Sequence, residues 1–145
     1  MHLHCYSWTG VGDDRRNEAE RRPPPPTGDP PPTGDPGPFL ASPLPPMRTC
    51  DWLLKPRIRI DVSPGSVGEA LEWLTARYRA AEPQFLRPDD EARIGLGLRL
   101  DNAGEALTAG VDVQWGIWLR GGRFVTCAVI CCSPNRDAAH RCPAR

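Results

Sequence analysis

Twelve of the eighteen prolines in this 145-residue chain fall before Met47, and no other feature limits so sharply what the chain can fold into. Pro25-Pro26-Thr27-Gly28-Asp29-Pro30 is followed at once by Pro31-Pro32-Thr33-Gly34-Asp35-Pro36, a tandem repeat. Proline removes an amide donor and fixes φ, while Gly and Asp favour turns, so such a stretch has little means of burying a core. Residues 1–46 are therefore expected to be disordered, residues 47–132 to form one small domain, and residues 133–145 to be a flexible, mildly basic tail carrying Cys and His. A chain starting at Met47 is expected to fold as well as the whole. Pro23 and Pro26 offer a bare PxxP to a polyproline-binding groove, a pattern that any Pro-rich linker also shows.

Eighteen basic side chains balance eighteen acidic ones. That argues against a nucleic-acid partner, which usually selects a strong basic excess. The opening Met-His-Leu-His-Cys-Tyr-Ser-Trp has neither the basic start nor the apolar run of a signal peptide. The most apolar stretch, 111–132, is interrupted by Arg120-Gly121-Gly122-Arg123, well short of the ~20 residues of a membrane span. The expectation is a cytoplasmic protein without membrane contact, its six cysteines reduced rather than paired in disulfides.

Within 47–132 the patterning predicts β-α-β-β-β. Ile58, Ile60 and Val62 alternate with polar residues as a half-buried strand. Ser66 and Glu69 form a capping box, and Val67, Leu71, Leu74, Tyr78 and Ala81 make the apolar stripe of the helix that follows. Ile94, Leu96, Leu98 and Leu100 alternate as a second strand. Residues 111–120 and 123–132 pair as a hairpin through a two-residue Gly121-Gly122 turn, which sets Leu119 opposite Phe124 and Trp118 opposite Val125. The expected fold class is α+β, a mainly antiparallel four-stranded sheet with one helix on one face.

A single helix leaves the other sheet face bare. That register puts Trp118, Val125, Cys127 and Val129 on it, beside the naked backbone of Gly95, Gly97 and Gly116. Solvated sheet faces normally turn polar, so these residues are the predicted binding face, serving a homodimer or another protein partner.

Catalysis finds little support. Residues 47–132 contain no histidine, and their only serines are Ser63 and Ser66. Nucleophile and base pairs therefore lack an imidazole there. A carboxylate enzyme using Asp89, Asp90, Glu91, Asp101 and Asp112 ranks third among the functional readings, and Gly95-Leu96-Gly97 does not sit between a strand and a helix as a phosphate loop must. The leading reading is a small non-enzymatic binding or self-association module without a cofactor. The alternative is a zinc-stabilised or thiol-active protein built on Cys131, Cys132, His140 and Cys142. Strand neighbours point to opposite faces, so Cys131 and Cys132 cannot both ligate without a bulge or strand end, and a further ligand must come from Cys50 or Cys5. His2, His4 and Cys5 form a looser group at the other end of the chain.

Overall fold

The computed structural model describes residues 1–25 and 36–145. The tandem repeat, apart from its outermost prolines, lies outside the described residues, as does Pro26 of the PxxP.

In chain order the elements are β1 (His2–Val11), α1 (Glu18–Arg21), α2 (Gly37–Ala41), α3 (Val67–Ala81), α4 (Pro88–Ile94), α5 (Leu96–Thr108), β2 (Val113–Leu119) and β3 (Arg123–Cys132). Short 3₁₀ turns at Gly12–Arg16, Thr49–Leu54, Arg57–Arg59 and Glu82–Gln84 fill several of the connections. The strands form one antiparallel sheet in the order β1-β3-β2. The class is α+β, but a four-stranded sheet with a single helix is overturned.

Each departure has a local cause. The segment at Ile58 closes into a 3₁₀ turn, with the Arg59 amide bonded to the Pro56 carbonyl at 2.9 Å and the Ile60 amide to Arg57 at 3.0 Å. Ile58 is 87% exposed. The segment's only ladder contact with the sheet is a single bridge at Cys5 on the outer edge of β1, where the Asp61 amide donates to the Cys5 carbonyl and the Cys5 amide to the Val62 carbonyl, each at 2.8 Å. The expected second strand is instead the start of α5. Its Leu96, Leu100, Ala103 and Leu107 recur every four, three and four residues and pack on the core, whereas Leu98 is 53% exposed. Gly95, at φ +81°, breaks the backbone between α4 and α5, a conformation that other residues rarely take.

The hairpin forms, but its connection holds three residues, Arg120–Gly122, with Gly121 and Gly122 both at positive φ. Leu119 therefore pairs with Arg123, and Trp118 with Phe124 rather than Val125. A one-residue slip turns every side chain of one strand to the opposite face. Val125, Cys127 and Val129 accordingly join Trp115 and Val113 in the main core, against Ala70, Leu74 and Tyr78 of α3 and Ala103 and Leu107 of α5. The α3 helix starts where its cap places it: Ser66 Oγ accepts from the Glu69 amide at 3.1 Å, and Glu69 Oε2 accepts from the Gly65 amide at 2.6 Å.

The other face is covered too, and by the Pro-rich part of the chain and the residues just after it. Tyr6, Trp8, Phe124, Ala128, Ile130 and Cys132 are buried against Leu44, Trp52 and Leu53. Tyr6 stacks on Trp52 with ring centroids 4.9 Å apart, and Trp52 Nε1 donates to Gln114 at 2.9 Å. Residues 1–25 and 36–46 thus supply both an edge strand and part of a covering layer. Lys55, 2% exposed, fastens that layer. Its ammonium donates to the carbonyls of Phe39 at 2.6 Å and Ser42 at 2.9 Å, and lies 4.0 Å from the Phe39 ring centroid.

Two outcomes follow from this layering. A chain starting at Met47 loses β1 and bares one whole edge of β3, so it is expected to aggregate or to lack a cooperative melt by circular dichroism; a native-like melt would refute the layering. Lys55→Met leaves buried carbonyls without a donor and is expected to lower the unfolding free energy by about 2–4 kcal/mol in urea titrations; no loss of stability would mean that the ammonium does not hold the layer.

Candidate metal centre

The predicted site residues are redistributed by this fold. Val125, Cys127 and Val129 lie beneath α3 and α5. Gly116 is filled by the Phe124 ring, whose Cζ would stand 2.7 Å from an added Cβ. Gly95 and Gly97 lie at the junction of α4 and α5, away from the sheet strands. Of the side chains in the predicted binding face Trp118 alone stays open, 43% exposed beside a groove of about 620 Å³ shared with Leu86, Arg87 and Ile117. Its ring meets Phe124 edge to face at 5.1 Å, and Arg15 lies 3.6 Å from the Phe124 centroid.

The predicted metal ligands are also sorted by side. Cys131 faces the main core, with its amide held by Asp112 Oδ1 at 2.8 Å. Cys132 points the other way, as strand alternation requires. There it meets the residues from the other end of the chain, because antiparallel pairing sets His2 opposite Cys132 and His4 opposite Ile130. His2 and His4 are two apart on β1 and share that face.

The tail is delivered to the same place by Asn135. Its Nδ2 donates to the Cys131 carbonyl at 2.7 Å and to both Asp112 carboxylate oxygens at 3.1 Å. Its Oδ1 accepts from the amides of Asp137 at 2.9 Å and Ala138 at 3.1 Å. So anchored, the tail returns across the sheet, and Cys142 packs against Cys132. Cys142 Sγ lies 3.3 Å from His4 Nε2 and 3.8 Å from His2 Nδ1. The ligand atoms of His2, His4 and Cys142 all fall within 4.8 Å of one another, and the Cys132 thiol interacts with that of Cys142. A tetrahedral ion bound at about 2.0–2.3 Å has ligand-to-ligand edges of roughly 3.3–3.8 Å, so these spacings are already close to tetrahedral edges.

The surroundings suit such a donor set. His4 Nδ1 shares a 2.7 Å hydrogen bond with Ser63 Oγ. A proton held there leaves the Nε2 lone pair facing Cys142, the outer-shell arrangement that orients a ligating imidazole. Burial, with the neighbouring His2, lowers the His4 pKa and favours the neutral ring that a metal requires. Burial raises the Cys132 pKa. Among the described residues the buried Tyr6 hydroxyl has no partner, and Cys132 and Cys142 both act on its ionisation. A metal-bound thiolate would give it an acceptor.

His140 does not join this group. Its Nε2 lies 2.9 Å from Asp51 Oδ1 beside Cys50, a second cluster on the far side of the tail. The carboxylates Asp89, Asp90 and Glu91 sit in the first turn of α4, where Glu91 pairs with Arg99 at 2.7 Å. No helix among the described residues is long and apolar enough to cross a membrane.

No protein-family model matches the chain, and neither a curated protein nor a solved structure shows significant similarity to it.

The buried thiols set the alkaline limit of stability. Burial pushes Cys5 up from 9.0 to about 12 and Cys127 and Cys131 to about 11. Their folded pKa values exceed the unfolded ones, so their stabilising contribution is complete below pH 9 and is lost as pH rises toward 11–12. Lys55, lowered by burial from 10.5 to about 8, works in the opposite sense between those values, one lysine against three thiols. Urea unfolding under reducing conditions is expected to show stability falling above pH 9. Cys127→Ala should flatten that slope by about 1.4 kcal/mol per pH unit; an unchanged slope would mean that Cys127 ionises alike in both states.

Proposed function

We propose that the protein is a small metal-stabilised module without catalytic activity of its own, held by a zinc-class ion on His2, His4, Cys132 and Cys142. The observation that carries this reading is the convergence of His2 Nδ1 and His4 Nε2 on Cys142 Sγ, at 3.8 and 3.3 Å, beside Cys132. His2, His4 and Cys142 leave one position, which the Cys132 thiol beside Cys142 would fill, and two imidazoles with two thiols leave no room for substrate, the pattern of a structural site. The ion would tie β1, the end of β3 and the tail at a single point.

This choice reverses the order of the two sequence-based readings. Association through a bare sheet face keeps only the outer side of β2, where Gln114, Gly116 and Trp118 are exposed, since the helices cover one face and the residues around Trp52 cover β1 and β3 on the other. What remains for a protein partner is the margin around Trp118. Thiol ligands also require a reducing compartment, which agrees with a cytoplasmic location and with six free cysteines.

Protein purified without chelator is expected to carry a zinc-class ion on these residues. Removing it with EDTA or a thiol-selective chelator should lower the melting temperature by about 10 °C, the shift that ~4 kcal/mol of ligand stabilisation gives a domain of this size. The double variant His4→Ala/Cys142→Ser should melt near the chelated wild type and respond no further to chelator at this site. Wild-type protein that stays metal-free on zinc addition, or whose melting ignores bound metal, would overturn the reading.

A further inference from the structure

We infer that Cys50, Asp51 and His140 form a second metal site, with three protein ligands and one exchangeable position opening into a cavity. Asp51 is 2% exposed and Cys50 is buried, while His140 reaches in from the tail. The His140 Nε2 to Asp51 Oδ1 separation is 2.9 Å, Cys50 Sγ to Asp51 Oδ1 is 3.8 Å, and all three ligand atoms lie within 4.8 Å of one another. One thiol, one carboxylate and one imidazole are a donor set for a borderline ion such as zinc, and the spacings need only small adjustments to become tetrahedral edges.

Two observations outside the cluster point to a ligand. Asp51 and His140 stand in the wall of a cavity of about 470 Å³, whose other walls include Phe39, Leu40, Leu54 and Arg48. Among the described residues, the only ion-pair partner of the buried Asp51 carboxylate is His140, which is cationic only when protonated. A buried carboxylate facing a largely apolar cavity is costly without a cation in contact with it; Arg48 in the same wall bonds Cys50 instead, and a divalent ion would supply that contact. Arg48 Nη2 donates to Cys50 Sγ at 3.3 Å, the outer-shell contact that steadies a ligating thiolate.

The fourth position distinguishes this centre from the one at Cys142. At the proposed structural site Cys132 would close the set that His2, His4 and Cys142 begin. Here no fourth His, Cys, Asp or Glu joins the group among the described residues and the cavity borders Asp51 and His140, so the ion would keep water or a small monodentate anion, the arrangement of sites that exchange ligands. Arg48 in the same wall favours an anionic occupant, and Phe39, Leu40 and Leu54 favour one with an apolar body.

Cobalt(II) titration of the reduced full-length chain, followed by visible absorption and by metal analysis after desalting, tests this apart from the structural site. Wild type should take up two equivalents. His4→Ala/Cys142→Ser should retain one, and its spectrum should change on adding azide, which enters the open position. His140→Ala should retain the other, with a spectrum that ignores azide. Cys50→Ser in the otherwise intact chain should lose the azide response while circular dichroism stays native, which covers the case in which the double variant fails to fold. Uptake by His4→Ala/Cys142→Ser but none by His140→Ala would remove the structural site and leave this one standing. The inference is overturned if folded His4→Ala/Cys142→Ser binds no cobalt, if azide leaves the wild-type spectrum unchanged, or if Cys50→Ser keeps the azide response. Cys50, Asp51 and His140 would then be a hydrogen-bonded latch for the tail and nothing more.

Discussion

Everything in this fold answers to β3, an apolar strand buried on both faces and paired along both edges. A strand so placed needs two covering layers and two neighbours, because an unpaired amide or a wetted apolar face at its centre costs more than a small domain can offset. The helices α3 and α5 meet one requirement and β2 another. The remaining edge and face fall to residues before Met47 and to the turn at Thr49–Leu54. The Pro-rich composition of that region is compatible with the task. Covering a sheet face takes side chains such as Leu44 and Trp52 more than it takes regular backbone, and Lys55 satisfies carbonyls that proline leaves without a ladder.

The legible parts of the sequence were those with strictly local causes. The capping box and stripe of α3 and the existence of the hairpin depend on residues within a turn or two of one another. Errors arose where one pattern serves two structures. Leu96, Leu98 and Leu100 alternate like a strand, yet Leu96, Leu100, Ala103 and Leu107 recur like a helix, and the longer pattern prevailed once Asp101-Asn102 proved to lie inside the helix. The hairpin register turned on whether Arg120 belongs to the strand or to the turn, a choice of one residue that decides which face of β3 meets the helices. An apolar run through Phe124–Cys132, broken only by Thr126, is itself a sign of burial on both faces. Such a run calls for a second covering layer rather than a bare face.

The candidate centres were half visible. Cys132, His140 and Cys142 stand out as donors near the end of the chain, and His2 and His4 share one strand face by simple alternation. Their union depends on β1 pairing with β3, a contact across more than a hundred residues that composition had argued against. The division of the tail, with His140 going to Asp51 and Cys142 to His4, depends on the turn that Asn135 builds on Asp112. Neither Asn135 nor Asp51 carries a distinguishing mark in the sequence. Their roles come from position alone.

The pairing of β1 with β3 also fixes when the protein can fold. On a ribosome the first strand emerges while its partner is still more than a hundred residues from being made. Until Arg123–Cys132 arrives, β1 is an exposed edge holding Tyr6 and Trp8, and the layer that packs on it has nothing to cover. Most of the stabilising contacts are thus withheld until β3 has been made, the regime in which folding is slow and nascent chains are open to aggregation or chaperone capture. Helix α3 can form early, since its cap and stripe are local, but it has no sheet to rest on until the last strand arrives.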